Sequence, residues 1–215
     1  MKRYFVVSDV HSFYKELIDA LNYVHFDISN PEHILVSNGD LFDRGPDANK
    51  VYEFINSIPK ERRILIRGNH EDLLIALSHR LVPLDIDFHN GTLDTLLQFV
   101  GNKEHETLFD LLDNFEKYKR AYKALKINNW INSDEWCDYF EIGRFIITHS
   151  FIPLGNANPY VKSNKFKFYD PNWRINSTQE LWKEARWACP YELYLLGLFD
   201  EEIKNGKTLV CGHWH

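Results

Sequence analysis

Over the first eighty positions, short apolar runs alternate with stretches in which apolar residues recur every three or four positions. Residues 3–7 (RYFVV), 33–36 (HILV) and 64–66 (ILI) are β-branched or aromatic runs that read as buried strands. Phe13, Leu17, Ala20, Leu21 and Val24 follow the first at helical spacing. After the second, Pro46 suits a first helical turn, and Val51, Phe54, Ile55 and Ile58 make one helical face. Leu73, Leu74, Leu77 and Leu81 do the same after the third. Strand, polar loop and helix, three times over, predict an α/β unit with parallel strands.

The period changes in the middle of the chain. Residues 92–100 and 105–126 read as helices, the second with Leu108, Leu111, Leu112, Phe115, Tyr122 and Leu125 on one stripe. They form a helical insert over about 92–127, expected as a structural hairpin beside the sheet, with a substrate-selecting lid as the alternative. Residues 136–141 and 144–148 flank Ile142-Gly143 and predict an antiparallel hairpin. Residues 155–177 mix Asn, Pro, Lys and aromatics without a period, a long loop of the kind that is often functional. Residues 181–196 read as a helix interrupted by Pro190, and 207–211 as a last strand. No stretch resembles a flexible linker, so residues 1–215 are expected to form a single domain.

Composition narrows the function. A net charge of −6 argues against a generic nucleic-acid binder, because such binding leans on excess Lys and Arg. Three widely spaced cysteines (Cys137, Cys189, Cys211) make no disulfide framework and suggest a reducing compartment. The N-terminus meets Ser8 and Asp9 too soon for a signal peptide, and no apolar run approaches membrane-spanning length, so a cytoplasmic protein without a membrane partner is expected.

The chemistry gathers where strands end. The expected strands run into Ser8-Asp9-Val10-His11, Asn38-Gly39-Asp40-Leu41-Phe42-Asp43-Arg44-Gly45, Arg67-Gly68-Asn69-His70-Glu71, Thr148-His149-Ser150 and Gly212-His213-Trp214-His215. Ligands of open α/β sheets bind beyond the carboxyl ends of the strands, so these segments could converge on one cleft. Asp9 and His11 point to one side of an extended segment, although alone such a pair reads better as a satisfied surface pair. With Asp40, Asn69, His149, His213 and His215 they make a mixed N/O ligand set without thiolate, suited to two ions of Mn, Fe or Zn that share Asp40. Two such ions clamp a phosphoryl oxygen and activate a water, so no Ser or Cys nucleophile is needed. Arg44 has a planar fork matched to phosphate, and His70 kept protonated by Asp43 would serve as a general acid. An ordinary ion pair at Asp43–Arg44 and a helix-start residue at His70 remain open. Glu71 and Asp72 are expected to stabilise a helix N-terminus.

Taken together, DxH, GDLFDRG, GNHE, a strand-end His and GHxH resemble the calcineurin-like metallophosphoesterase superfamily, and DRG and GNHE resemble its phosphoprotein phosphatase branch. Compact bacterial and phage serine/threonine phosphatases and symmetrical diadenosine tetraphosphate hydrolases are the most similar groups. The resemblance implies a β-sandwich of two mixed sheets flanked by helices. It implies that Asp9, His11 and His215 bind one metal, that Asn69, His149 and His213 bind the other, and that Asp40 bridges them. Arg44 and Asn69 would hold the phosphate, and His70, paired with Asp43, would protonate the leaving oxygen. Three positions depart from the family pattern. Ser8 and Ser12 stand where glycines usually flank DxH, and a positive φ would strain Ser12. Phe151 follows Ser150 where small residues are usual, and is expected as an apolar anchor, a stacking surface being the alternative. The second phosphate-binding arginine of the branch is matched only by Arg186, for which a structural role is the alternative.

The implied activity is hydrolysis of a phosphomonoester with two divalent ions, Mn first and Fe or Zn as alternatives. Phosphoserine and phosphothreonine in proteins are the first substrate class. Diadenosine tetraphosphate or another nucleotide is the second, and an inactive metal-binding relative is the third reading. An aromatic slot among Tyr160, Phe166, Phe168, Tyr169 and Trp173 would favour a base. Because the chain stops on an expected ligand directly after its strand, a further segment beyond His215 is also expected.

Overall fold

Side chains alternate across each β-strand, so a strand packed on both faces serves two cores at once. In the computed structural model, which describes residues 1–101, 108–157 and 163–213, this alternation organises the molecule. β1 (Arg3–Val7), α1 (Tyr14–Tyr23), β2 (His33–Asn38), α2 (Ala48–Ser57), β3 (Arg63–Ile66) and α3 (Asn69–His79) follow one another as the periodicity predicts. All three strands pair in parallel. Val7 lies opposite Ser37 and Asn38 opposite Ile66, so their carboxyl ends reach one level.

The helices α4 (Asp85–His89), α5 (Thr92–Phe99), α6 (Leu108–Lys123) and α7 (Lys126–Ile131) come next. The expected start of the second insert helix, at 105, lies outside the described residues. Leu111, Phe115 and Tyr122 are buried in a core shared with Leu35 and Leu65, which makes this face of the insert structural. Leu112, expected on the same stripe, is exposed.

The chain then changes sheet. The single strand expected over 136–141 is two: β4 (Trp136–Cys137) pairs with β3, and β5 (Tyr139–Ile142) pairs antiparallel with β6 (Phe145–Thr148). The expected hairpin is therefore present, with its first strand shortened by the passage at Asp138 between sheets. The expected loop over 155–177 holds a small two-stranded sheet of β7 (Gly155–Asn156) and β8 (Lys167–Phe168), then α8 (Trp173–Asn176). Pro190 does not interrupt a helix. It starts one, separating α9 (Gln179–Arg186) from α10 (Pro190–Leu195), because its missing N–H is no loss in a first turn. α11 (Asp200–Lys204) leads into β9 (Thr208–Val210), which pairs in parallel with β6.

The result is a sheet of order β1-β2-β3-β4 facing a sheet of order β5-β6-β9. Val36 and Ile66 of the first meet Ile147 of the second in a thin inner core. Leu35 and Leu65, one residue away, face the helices on the outside of the first sheet. Ile146 faces a second outer core with Phe151, Trp173, Trp182 and Phe199. This is the expected sandwich flanked by helices, except that the pairing of the first sheet is parallel throughout and only the second is mixed. Among the described residues, no helix is long and apolar enough to cross a membrane.

Candidate active site

The segments after β1, β2, β3, β6 and β9 meet at one edge of the sandwich, and backbone hydrogen bonds tie them together. His11 N–H donates to the Asp40 carbonyl at 2.9 Å, Ser12 N–H to Leu41 at 2.8 Å, and Gly212 N–H to His149 at 2.8 Å. Gly39 takes φ +83°, and a Cβ there would lie 2.5 Å from His149 Nδ1, so only glycine lets β2 turn here and aim Asp40 across the cleft. Positive φ also occurs at Asp9, His11, Ser12, Asp40, Asp43, Arg44 and His213, and among the other described residues at only one non-glycine, His25. Backbone strain is thus concentrated where candidate chemistry lies. Ser12 tolerates its φ of +60° because the adjoining loop over-determines it: its carbonyl accepts from Asp47 N–H at 3.1 Å while its N–H is held by Leu41.

Asp40 Oδ2 is the focus. It lies 3.3 Å from His149 Nε2, 3.8 Å from His11 Nε2 and 3.9 Å from His70 Nε2. Two candidate ligand groups, His11–Asp40–His70 and Asp40–His149–His213, share this carboxylate. The tautomers follow from partners that can only accept. His11 Nδ1 donates to the Phe42 carbonyl and His149 Nδ1 to the Asn38 carbonyl, both at 2.9 Å, which turns each Nε2 toward the cleft. Asn69 Oδ1 lies 2.9 Å and His213 Nδ1 3.2 Å from His149 Nε2. Asp9 stands at the rim, its carboxylate accepting the His213 N–H at 3.0 Å and the Ser8 hydroxyl. His215 lies outside the described residues.

Asp40 and its imidazole neighbours set one another's protonation, and a metal would compete with protons for the same nitrogens. Burial alone would raise the pKa of Asp40, but His149 and His70 outweigh it and hold the carboxyl well below the usual range. Burial works against a charged His149, yet Asp40 pushes it up to about 9. Burial holds His11 down, and burial together with His149 lowers His213 to about 4. A buried carboxylate ringed by imidazole nitrogens and an amide oxygen, once the imidazoles give up their protons, is a donor set for borderline divalent metals, so these residues fit the expected ions.

His70 differs from the other imidazoles. Its Nδ1 donates to Asp43 Oδ2 at 2.7 Å and its Nε2 faces the cleft, 3.3 Å from Arg44 Nη2. Burial lowers its pKa, but the hydrogen bond to Asp43 and the charge of Asp40 more than restore it, and the net shift is upward. Arg44 is exposed at the mouth.

Other positions are placed differently. Arg186 is buried, with Nε on Asp72 and Nη1 on Asp138, both at 2.8 Å, so two of its nitrogens serve an ion-pair network. Phe151 is buried against Phe199 in the outer core, as an anchor. Trp173 is buried, Tyr169 donates to Glu202, and Phe166 and Phe168 are exposed, so no aromatic slot forms among the described residues. Tyr160 lies outside them. Glu71 does more than stabilise a helix start. It accepts N–H groups from Asp40 at 2.9 Å and from Leu41 and Gly68 at 2.8 Å, bracing the two loops that carry Asp40 and Asn69. Its position directly after Asn69-His70 was the available signal.

Comparison with known proteins agrees with this geometry. A family model for calcineurin-like phosphoesterases matches residues 2–215. The chain is 37% identical over 148 residues to a symmetrical bis(5'-nucleosyl)-tetraphosphatase of Proteus mirabilis, covering 69% of this chain and 44% of that protein. It is 33% identical over 94 residues to a protein of the same name from Coxiella burnetii, covering 44% of this chain and 30% of that protein. The chain thus spans less than half the length of these curated relatives. The crystal structure of a cold-active protein tyrosine phosphatase matches 100% of this chain and 66% of its own with a TM-score of 0.57 at 17% identity, a likeness of fold alone.

Proposed function

The chain belongs to the calcineurin-like phosphoesterase family, and from that premise we propose that it is a metal-dependent phosphatase hydrolysing a phosphomonoester. The observation that carries the reading is the buried Asp40 carboxylate, which lies between His11 and His70 on one side and His149 and His213 on the other, with Arg44 against His70. Asp9, His11, Asp40, Asn69, His149, His213 and His215 would hold two divalent ions, Mn first. When bound, these ions supply Lewis-acid charge and an activated water. Arg44, with Asn69, binds and orients the phosphoryl oxygens and spreads the charge that develops on them. Asp43 fixes the His70 Nδ1 proton, so in the charged ring the second proton would sit at Nε2, which faces the cleft and, with Arg44 turned to the phosphate, can pass it to the leaving oxygen. Arg186 Nη2 has no partner among the described residues and is the remaining candidate for a second phosphate contact.

Phosphoserine and phosphothreonine in proteins are the first substrate class, supported by a mouth without an aromatic slot among the described residues. The relatives named as tetraphosphatases favour the second, a dinucleoside polyphosphate. A panel of Mn-loaded protein against phosphoserine, phosphothreonine and phosphotyrosine peptides and diadenosine tetraphosphate separates the two. Hydrolysis of none, with metal bound, would reduce the chain to a metal-binding relative. His70→Asn should lower kcat on phosphoserine by about 10²–10⁴-fold, the range a general acid supplies, with metal content kept. The loss on p-nitrophenyl phosphate should be smaller, because that leaving group needs little protonation. An unchanged kcat on phosphoserine would refute the acid role.

A further inference from the structure

The side of α5 nearest the cleft is polar and wholly engaged. Thr92, Thr95 and Gln98 recur every three residues along it. Thr92 Oγ1 donates to Asp43 Oδ2 at 2.6 Å, and Thr95 Oγ1 accepts the Asp43 N–H at 3.0 Å. Gln98 Nε2 donates to the Gly45 carbonyl at 3.0 Å, and Gln98 Oε1 accepts Ala48 N–H at 2.9 Å. One helix face of the insert therefore holds the whole turn from Asp43 to Ala48. That turn needs holding, because Asp43 and Arg44 both sit at positive φ, +73° and +63°. The approach is close enough that Gly91, at φ +74°, could carry no side chain: a Cβ there would lie 2.7 Å from Arg44 N.

We propose that Thr92 is a positioning residue for the proton donor. It acts through Asp43, so the inference rests on the reading of His70 as the acid. Asp43 Oδ2 takes two hydrogen bonds at once, from His70 Nδ1 at 2.7 Å and from Thr92 Oγ1 at 2.6 Å. A carboxylate can swing about its last torsion, and a second fixed donor on the same oxygen removes that freedom. The lone pair that meets the imidazole is then set by the hydroxyl of Thr92, and the ring plane of His70 with it. Asp43, His70 and Thr92 are all buried, so no bulk water competes for these bonds. Tyr122 of α6 is buried in the same region. Its pKa is pushed up by burial first and by the Asp43 charge second, so it stays a neutral phenol. The insert is thus part of the acid machinery as well as a packing element.

The test compares Thr92→Val, which keeps the shape and removes the hydroxyl, with Thr92→Ser, which keeps the hydroxyl. In Mn-loaded protein, Thr92→Val should lower kcat on a phosphoserine peptide about 10-fold, a fraction of the 10²–10⁴ that a general acid supplies, with KM unchanged. On p-nitrophenyl phosphate it should lose less than about 2-fold, since protonation contributes little there. Thr92→Ser should restore both. In metal-free protein, the downfield Nδ1 proton resonance of His70 should shift or vanish in the Val variant and return in the Ser variant. Equal losses on both substrates, no loss on either, or an unmoved resonance would overturn the proposal. Thr92→Ala, read the same way, replaces a Val variant that does not fold. If His70→Asn itself shows no dependence on the leaving group, the acid reading has failed. If it shows that dependence and Thr92→Val does not, only the role of Thr92 has failed.

Discussion

Two buried carboxylates, Asp40 and Glu202, each have several polar neighbours and differ in what completes them. Glu202, on α11, accepts hydrogen bonds from Tyr169 at 2.9 Å, Trp173 Nε1 at 2.8 Å and Arg174 Nη1 at 2.7 Å. Its charge is matched by a guanidinium that belongs to the chain and is itself shared with Glu141. Among the described residues, Asp40 has no lysine or arginine paired to it. Its neighbours are imidazoles and an amide, groups that present lone pairs unless they take up protons. The backbone differs as well, regular helix around Glu202 and a series of positive-φ residues around Asp40. A carboxylate that carries its own counter-charge is structural. One whose counter-charge must come from outside, on a strained frame, is built to bind.

The contrast can be broken most forcefully at Asp40. Asp40→Asn should reduce metal content below two ions per chain and lower kcat on the order of 10³-fold. The melting temperature of the metal-free protein should change little, because the amide oxygen can still accept the His70 N–H. One ion per chain in metal-saturated wild type would contradict the shared carboxylate; inductively coupled plasma mass spectrometry gives the count.

Glu71→Gln should have an intermediate effect. A glutamine has one acceptor oxygen where Glu71 uses two for three N–H groups, so the loops bearing Asp40 and Asn69 lose part of their brace. Metal affinity should fall about 10–100-fold, as for other supports of metal ligands. Titration calorimetry measures it, and an unchanged affinity would leave Glu71 with only a local helical role.

Glu202→Gln should show the opposite pattern, a loss of stability with activity per folded molecule unchanged. The expected cost is about 2 kcal/mol, moderate because Arg174 stays partly exposed, and the melting temperature should drop about 4–8 °C. Burial would raise the pKa of Glu202, but the hydrogen bonds from Arg174, Trp173 and Tyr169 prevail and lower it. A depressed carboxylate contributes stability that is fully present above its unfolded value, about 4.3, and is lost as pH falls through the folded value. The melting temperatures of wild type and variant should therefore converge on acidification. A constant gap would argue for packing in place of charge.

Much of the site was legible as sequence because each element ends in an unusual polar cluster, and because DxH, GDLFDRG, GNHE and GHxH occur in one order. The parallel strands were legible because β1, β2 and β3 are continuous apolar runs. The passage of the chain between sheets at Asp138 was not, since residues 136–141 read as one uninterrupted run and only pairing partners divide it. Arg186 illustrates the limit for single residues. Its type suits phosphate or carboxylate equally, and the proximity of Asp72 and Asp138, far away in sequence, committed two of its nitrogens. Thr92 had no signal at all, because a threonine in a helix start is ordinary until Asp43 is found against it.

By itself, then, the sequence determined the strand and helix order, the donor types available for metal and phosphate, and their placement at strand ends. These follow from local periodicity and side-chain chemistry. The tertiary structure decided which donors share Asp40, which nitrogen each histidine turns to the cleft, and that α5 holds Asp43. Those depend on distances of a few ångströms between residues far apart in the chain, which no local pattern encodes.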